Sequence, residues 1–132
     1  MYVLRIEKNG KGPFTGGWTD RSWFNKGKYQ TKKHPDSTCE CHYYGSEKEY
    51  TVCGVQPLCG VKSVEQLFHW FPHKMLEKME EVGAVLVVYK VRKTYTKTDD
   101  YQVVFNAKKA EKLLTLKPTE YKIAKQHGVP KC

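Results

Sequence analysis

The run from Ser63 to Tyr89 leaves this chain few choices of fold. Ser63, with Gln66 three residues later, is a capping-box spacing: the hydroxyl accepts from a free helix amide while the Gln66 side chain reaches back to the helix start. Val64, Leu67, Phe68 and Phe71 then recur at helical spacing and form one apolar stripe. Pro72 cannot sit inside that helix but suits the first turn of a second one. The second helix would turn Met75, Leu76, Met79 and Val82 inward and stop at Gly83. Directly after it, Ala84 to Val91 is an apolar β run, with Tyr101 to Phe105 expected to return antiparallel to it across a polar loop. The block from Cys53 to Phe105 therefore supplies most of the core. The expected class is α+β: a single domain over residues 1–132, with a mixed or mostly antiparallel sheet and packed helices.

Ahead of that block, Tyr2 to Glu7 alternates, with Tyr2, Leu4 and Ile6 on one face and Val3, Arg5 and Glu7 on the other, which predicts an opening strand. The face carrying Arg5 meets either solvent or a pocket. Lys8-Asn9-Gly10-Lys11-Gly12-Pro13 is turn chemistry, and it lacks the spacing and following helix of a phosphate-binding P-loop. Thr19 to Phe24 reads as a short helix ended by Gly27, and Cys39 to Cys53 as a hairpin, in one register of which Cys41 faces Cys53. Behind the main block, Asn106 is expected to cap a helix carrying Ala107, Ala110, Leu113 and Leu114. Pro118 opens a last helical segment over 119–126, so that 106–132 forms a basic helical tail on a core of about 2–106.

Charge is the strongest global signal. The formal net charge is +9, and lysines outnumber arginines twenty to three. The excess favours polyanionic partners such as nucleic acid or nucleotide phosphates, and the preponderance of lysine favours diffuse attraction over bidentate recognition. Trp18, Arg21, Trp23, Lys26, Lys28, Lys32 and Lys33 interleave aromatics with cations, a composition that holds single strands by phosphate attraction and base stacking. The same residues also make an irregular loop pinned to a core by its tryptophans. Nothing approaches the roughly 20 apolar residues of a membrane helix, and there is no basic-then-apolar leader, so an intracellular chain is expected.

Five cysteines rule against a closed set of disulfides. Cys39, Cys41, Cys53 and Cys59 lie close enough together to offer a zinc set, but they lack paired Cys-x-x-Cys knuckles, and reduced, metal-free thiols are the expectation. No Ser-His-Asp constellation, paired-carboxylate motif or dinucleotide glycine fingerprint is present. His69 and His73 are separated by the Pro72 break and read as flanking residues.

Arg5-Ile6-Glu7, Gly10-Lys11-Gly12-Pro13-Phe14, His34-Pro35, the Cys59 to Phe71 run, Val87-Val88-Tyr89-Lys90-Val91 and Gln102-Val103-Val104-Phe105 together resemble a group of small phage-encoded proteins. The likeness covers about residues 2 to 106 and is most specific from Ser63 to Phe71. It implies a source, the cytoplasm of an infected bacterial host, and no activity. A weaker likeness is to ADP-ribosyltransferase-type domains, which carry an arginine on the first strand, a serine opening a middle element and a glutamate on a late strand. Arg5 matches the first and Ser63 the second, but the third place offers Gln102, which removes the carboxylate that transfer chemistry needs.

The expected function is that of a phage-type accessory or anti-defence protein that binds a phosphate-bearing ligand, such as an ADP-ribose-like nucleotide or a nucleotide signal, without catalysis. Its pocket would use Arg5, His34, Ser63, Tyr89 and Gln102. The alternatives are an anti-CRISPR-like inhibitor that binds nucleic acid or a ribonucleoprotein through the residues between Trp18 and Lys33, and a divergent transferase.

Overall fold

The computed structural model describes residues 1–12, 18–19, 58–98 and 102–126. In chain order the described elements are β1 (Tyr2–Glu7), β2 (Leu58–Gly60), α1 (Val64–Trp70), α2 (His73–Glu81), β3 (Val85–Lys90), β4 (Thr96–Thr98), β5 (Val103–Phe105), β6 (Glu111–Leu116) and α3 (Tyr121–Gln126). The strands form two three-stranded antiparallel sheets, ordered β1-β3-β6 and β2-β5-β4. With helices packed on the first sheet, the protein is α+β, as expected.

β3 explains the layering. Its residues from Leu86 to Tyr89 are all buried, so the strand needs cover on both faces, and its sequence is a continuous apolar run rather than an alternation. Leu86 and Val88 join Leu4 and Ile6 of β1 in a cluster with Val64, Leu67 and Trp70 of α1 and Met75, Leu76 and Met79 of α2. Val87 and Tyr89 point the other way and join Val3 with Val103 and Phe105 of β5. Three layers result: helices, first sheet, second sheet.

The helix boundaries follow the residues named for them. Ser63 Oγ accepts from Gln66 N–H at 3.1 Å. The Gln66 side chain, however, accepts from Lys62 N–H at 2.8 Å, one residue ahead of the cap. Ser63→Ala should cost about 1 kcal/mol; an unshifted urea midpoint would mean this cap does not support the helix. Pro72 stands at the N-cap position of α2, and Gly83, at φ +90°, closes it in the left-handed conformation, with Ala84 N–H donating to Met79 O at 3.0 Å. α3 lies against the other two helices through Tyr121, whose ring meets Phe68 edge-on at 4.8 Å and whose hydroxyl lies 2.9 Å from His73 Nδ1.

Three expectations fail. Residues Ala107–Lys109 make a single 3-10 turn rather than the start of a helix. Asn106 does cap it, its Oδ1 accepting from Lys108 N–H at 3.0 Å, but Glu111–Leu116 then forms β6. The open edge of the buried β3 decides this, because its backbone groups need partners that a local helix cannot supply. Leu114 and Leu116, at strand spacing, complete the apolar face toward the helices. Second, the Val103–Phe105 strand does not pair with β3, whose two edges are taken by β1 and β6; it is the centre of the second sheet. Third, the loop expected from Arg92 to Asp100 contains a 3-10 turn over Lys93–Tyr95 and the strand β4. The expected helix Thr19 to Phe24 and the cysteine hairpin fall mostly or wholly outside the described residues.

Candidate functional site

Besides packing on one another, the two sheets are joined by a backbone bridge. Leu4 N–H donates to Val61 O at 2.7 Å and Val61 N–H to Leu4 O at 2.8 Å, so the chain leaving β2 seizes the free edge of β1. Next to that bridge Arg5 reaches from β1 to the Cys59 carbonyl of β2. On alternation alone its side chain shares a face with Val3 and Glu7; in the structure that face is interior, since Arg5 is 6 % and Glu7 3 % exposed. The Arg5 Nε donates to Glu7 Oε2 at 3.1 Å, and Nη1 donates to Cys59 O at 2.7 Å. Gly12 lies over the guanidinium so closely that a Cβ there would stand 3.1 Å from Nη2.

Glu7 is the centre of the arrangement. Its Oε2 also accepts the Tyr89 hydroxyl at 3.1 Å, and its Oε1 lies 3.5 Å from the Nζ of the exposed Lys112. Burial pushes the Tyr89 phenol well above its ordinary range, and the neighbouring Glu7 charge, together with the hydrogen bond to it, pushes the same way. Folded protein thus keeps Tyr89 protonated where unfolded chain, from about pH 10, begins to lose that proton. The unfolded state then binds fewer protons, so stability should fall as pH rises above about 10. Tyr89→Phe should flatten that alkaline limb in melts taken between neutral and strongly alkaline pH, whereas an unchanged limb would assign it to other groups.

Beside the ion pair lies a cavity of about 40 Å³, lined by Arg5, Gln102, Cys59 and Gly60 at its polar side and by Leu4, Ile6, Val61, Leu67, Trp70 and Phe71 elsewhere. That is room for a few waters at most, against roughly 300 Å³ or more for a drug-sized or cofactor-sized ligand. A second, open groove of about 630 Å³ runs along α2 past Thr119, lined by Glu77, Glu80 and Glu81 and equally by His73, Lys74 and Lys78. Thr119 donates to Glu80 from both its hydroxyl, at 2.6 Å, and its backbone, which holds that carboxyl below its ordinary value.

Of the residues proposed for a ligand, the structure brings Arg5 and Gln102 to one cavity and joins Tyr89 to Arg5 through Glu7. Ser63 is spent on the helix cap, and His34 lies outside the described residues. Arg21, Trp23, Lys26, Lys28, Lys32 and Lys33 lie outside them as well. Trp18 is described, its indole N–H donating to Lys11 O at 3.0 Å while its ring packs against the helical cluster. Cys39, Cys41 and Cys53 are outside too; Cys59 is buried, and among the described residues no cluster of potential metal ligands occurs. Glu7, Lys112 and Gly12 were not singled out as site residues by the sequence reading. The i, i+2 spacing of Arg5 and Glu7 was the one available signal for the first of them.

The family model described as Bacteriophage T4 Y00F protein matches residues 1–119. The chain belongs to that family. The match takes in β1 through β6 and carries the resemblance to small phage proteins, but not the one to ADP-ribosyltransferases. No curated protein and no solved structure matches the chain. Among the described residues, no helix is long and apolar enough to cross a membrane.

Proposed function

We propose that this phage protein is an accessory protein that binds a phosphate-bearing partner, and that the partner is a nucleic-acid strand held on its basic surface. The observation that carries this reading is a run of exposed cations between Lys90 and Lys109. Lys90, Arg92, Lys93, Lys97, Lys108 and Lys109 are all exposed, and they lie on the end of β3, on the second sheet and on the 3-10 turns that flank it. Only Asp99, Asp100 and Glu111 counter them in that part of the sequence, and the first two lie outside the described residues. The acidic residues Glu77, Glu80 and Glu81 are on α2, where Lys74 and Lys78 partly offset them. A cationic face of this kind attracts a polyanion at long range and gains affinity by releasing its counterions.

The test is a salt titration of binding to a short labelled RNA or DNA. If four lysines each neutralise a phosphate, log K should fall against log salt with a slope of about −3, and replacing Lys93, Lys97, Lys108 and Lys109 with Gln should remove most of it. A slope near zero, or no binding at low salt, would end this reading.

A second reading keeps the ligand small: an ADP-ribose-like nucleotide or nucleotide signal that meets Arg5 and Gln102. What favours it is that both residues line one cavity. Against it stand the size of that cavity and the prior claim of Glu7 and Cys59 O on the guanidinium. A thermal-shift screen with nucleotides checks it, since a ligand selective for folded protein raises the melting point by mass action.

A further inference from the structure

Within the basic face one aromatic residue is placed unlike the rest. Tyr95 closes the 3-10 turn over Lys93–Tyr95, and its backbone is held on both sides: its N–H donates to Arg92 O at 2.9 Å and its carbonyl accepts from Asn106 N–H at 3.0 Å. The turn is tied again by Thr96 Oγ1, which donates to Lys93 O at 2.7 Å. The ring rests against the apolar cluster between the sheets yet stays only half-buried. The Lys109 ammonium lies 5.6 Å from its centroid. Tyr95 thus presents a partly exposed ring beside a lysine on a held backbone, with Arg92, Lys93, Lys97 and Lys108 exposed in the same region.

We infer that the nucleic acid bound by this face is single-stranded, and that Tyr95 is the platform on which one of its bases stacks. This rests on the nucleic-acid reading above and adds to it the state of the strand and the residue that selects it. The chemistry follows from the parts. An ammonium over an exposed ring is a weak cover. A base can displace it, and the freed Lys109 then has a phosphate to pair with. Only an unpaired base offers a free face; in a duplex the faces are stacked on one another and the edges are paired. Lysines predominate around the ring, and they attract phosphate without the planar fork that reads base edges, so the binding is expected to tolerate many sequences.

The experiment compares a mixed-sequence 12-nucleotide single strand with its duplex by fluorescence anisotropy, using the full chain. Wild-type protein should bind the single strand about tenfold more tightly than the duplex. Tyr95→Leu should weaken single-strand binding by about tenfold with an unchanged salt slope, and Tyr95→Phe should bind as wild type does. Lys93→Gln with Lys97→Gln should instead reduce the slope by about 1.4. Because Tyr95→Leu also removes packing, a strand carrying 5-iodouridine is photo-crosslinked to wild-type protein, and mass spectrometry should find the adduct on Tyr95. Equal affinity for both nucleic acids, or crosslinks that avoid Tyr95, would overturn this inference and leave a backbone-binding face. Binding to neither would overturn the parent reading as well.

Discussion

Gly60→Ala should lower the free energy of unfolding by about 3 kcal/mol, near the upper end of what inserting a single methyl group costs. Gly60 is the residue at which the chain crosses from the second sheet onto β1. A Cβ there would stand 2.5 Å from Val3 Cγ1 and 2.6 Å from the Leu4 carbonyl oxygen. In a looser site a rotamer change would ease the first contact, but Val3 is fully buried between the sheets. The second is backbone, and that same oxygen accepts the Val61 N–H that joins the sheets. Relief therefore means opening the bridge. Urea unfolding at neutral pH measures the effect, and a midpoint equal to that of wild type would show that the crossing is looser than the geometry implies.

Glu7→Ala should be as damaging, costing about 3–5 kcal/mol, because it leaves the Arg5 guanidinium buried without its counter-charge. It also removes the acceptor of the Tyr89 hydroxyl. The converse matters more for interpretation. Replacing the pair together, as Arg5→Met with Glu7→Leu, should recover most of the loss, since apolar residues of similar volume often replace a buried ion pair at little net cost. Arg5→Ala alone is accordingly a poor probe of ligand binding: loss of affinity and loss of fold would arrive together. The double variant separates them. If it folds and still binds a nucleotide that wild type binds, Arg5 is not that ligand's anchor. If the double variant is no more stable than Glu7→Ala, the pair contributes something that apolar packing does not replace, and the scaffold account of Arg5 fails.

How much of this site was legible in the sequence depends on the range of the interactions involved. Arg5 and Glu7 are two residues apart on a strand, and their shared face was readable; that the face is interior was not, because the cover comes from β5, about a hundred residues later. Gln102 was singled out for a resemblance to transferases, and the cavity that it shares with Arg5 is lined by residues of β1, β2 and α1 that only the tertiary structure brings together. Tyr95 lay in a stretch read as a polar loop, and no local pattern distinguishes a tyrosine held at both backbone groups from one that is free.

The chain by itself determined what could be settled within about twenty consecutive residues. The Ser63 cap, the break at Pro72, the left-handed Gly83 and the opening strand all follow from local geometry and side-chain periodicity, and each is where the residues placed it. Only the tertiary structure decided the fate of Glu111–Leu116 and the partners of Val103–Phe105. Leu113 and Leu114 fit a helical stripe, Leu114 and Leu116 fit a strand, and short apolar runs satisfy both periods. The open edge of β3 broke that tie, since a buried strand must have its backbone hydrogen bonds met and the nearest free donors and acceptors lay in β6. Once β1 and β6 had taken both edges, β3 had no edge left for Val103–Phe105, which pairs with β2 and β4 in the second sheet.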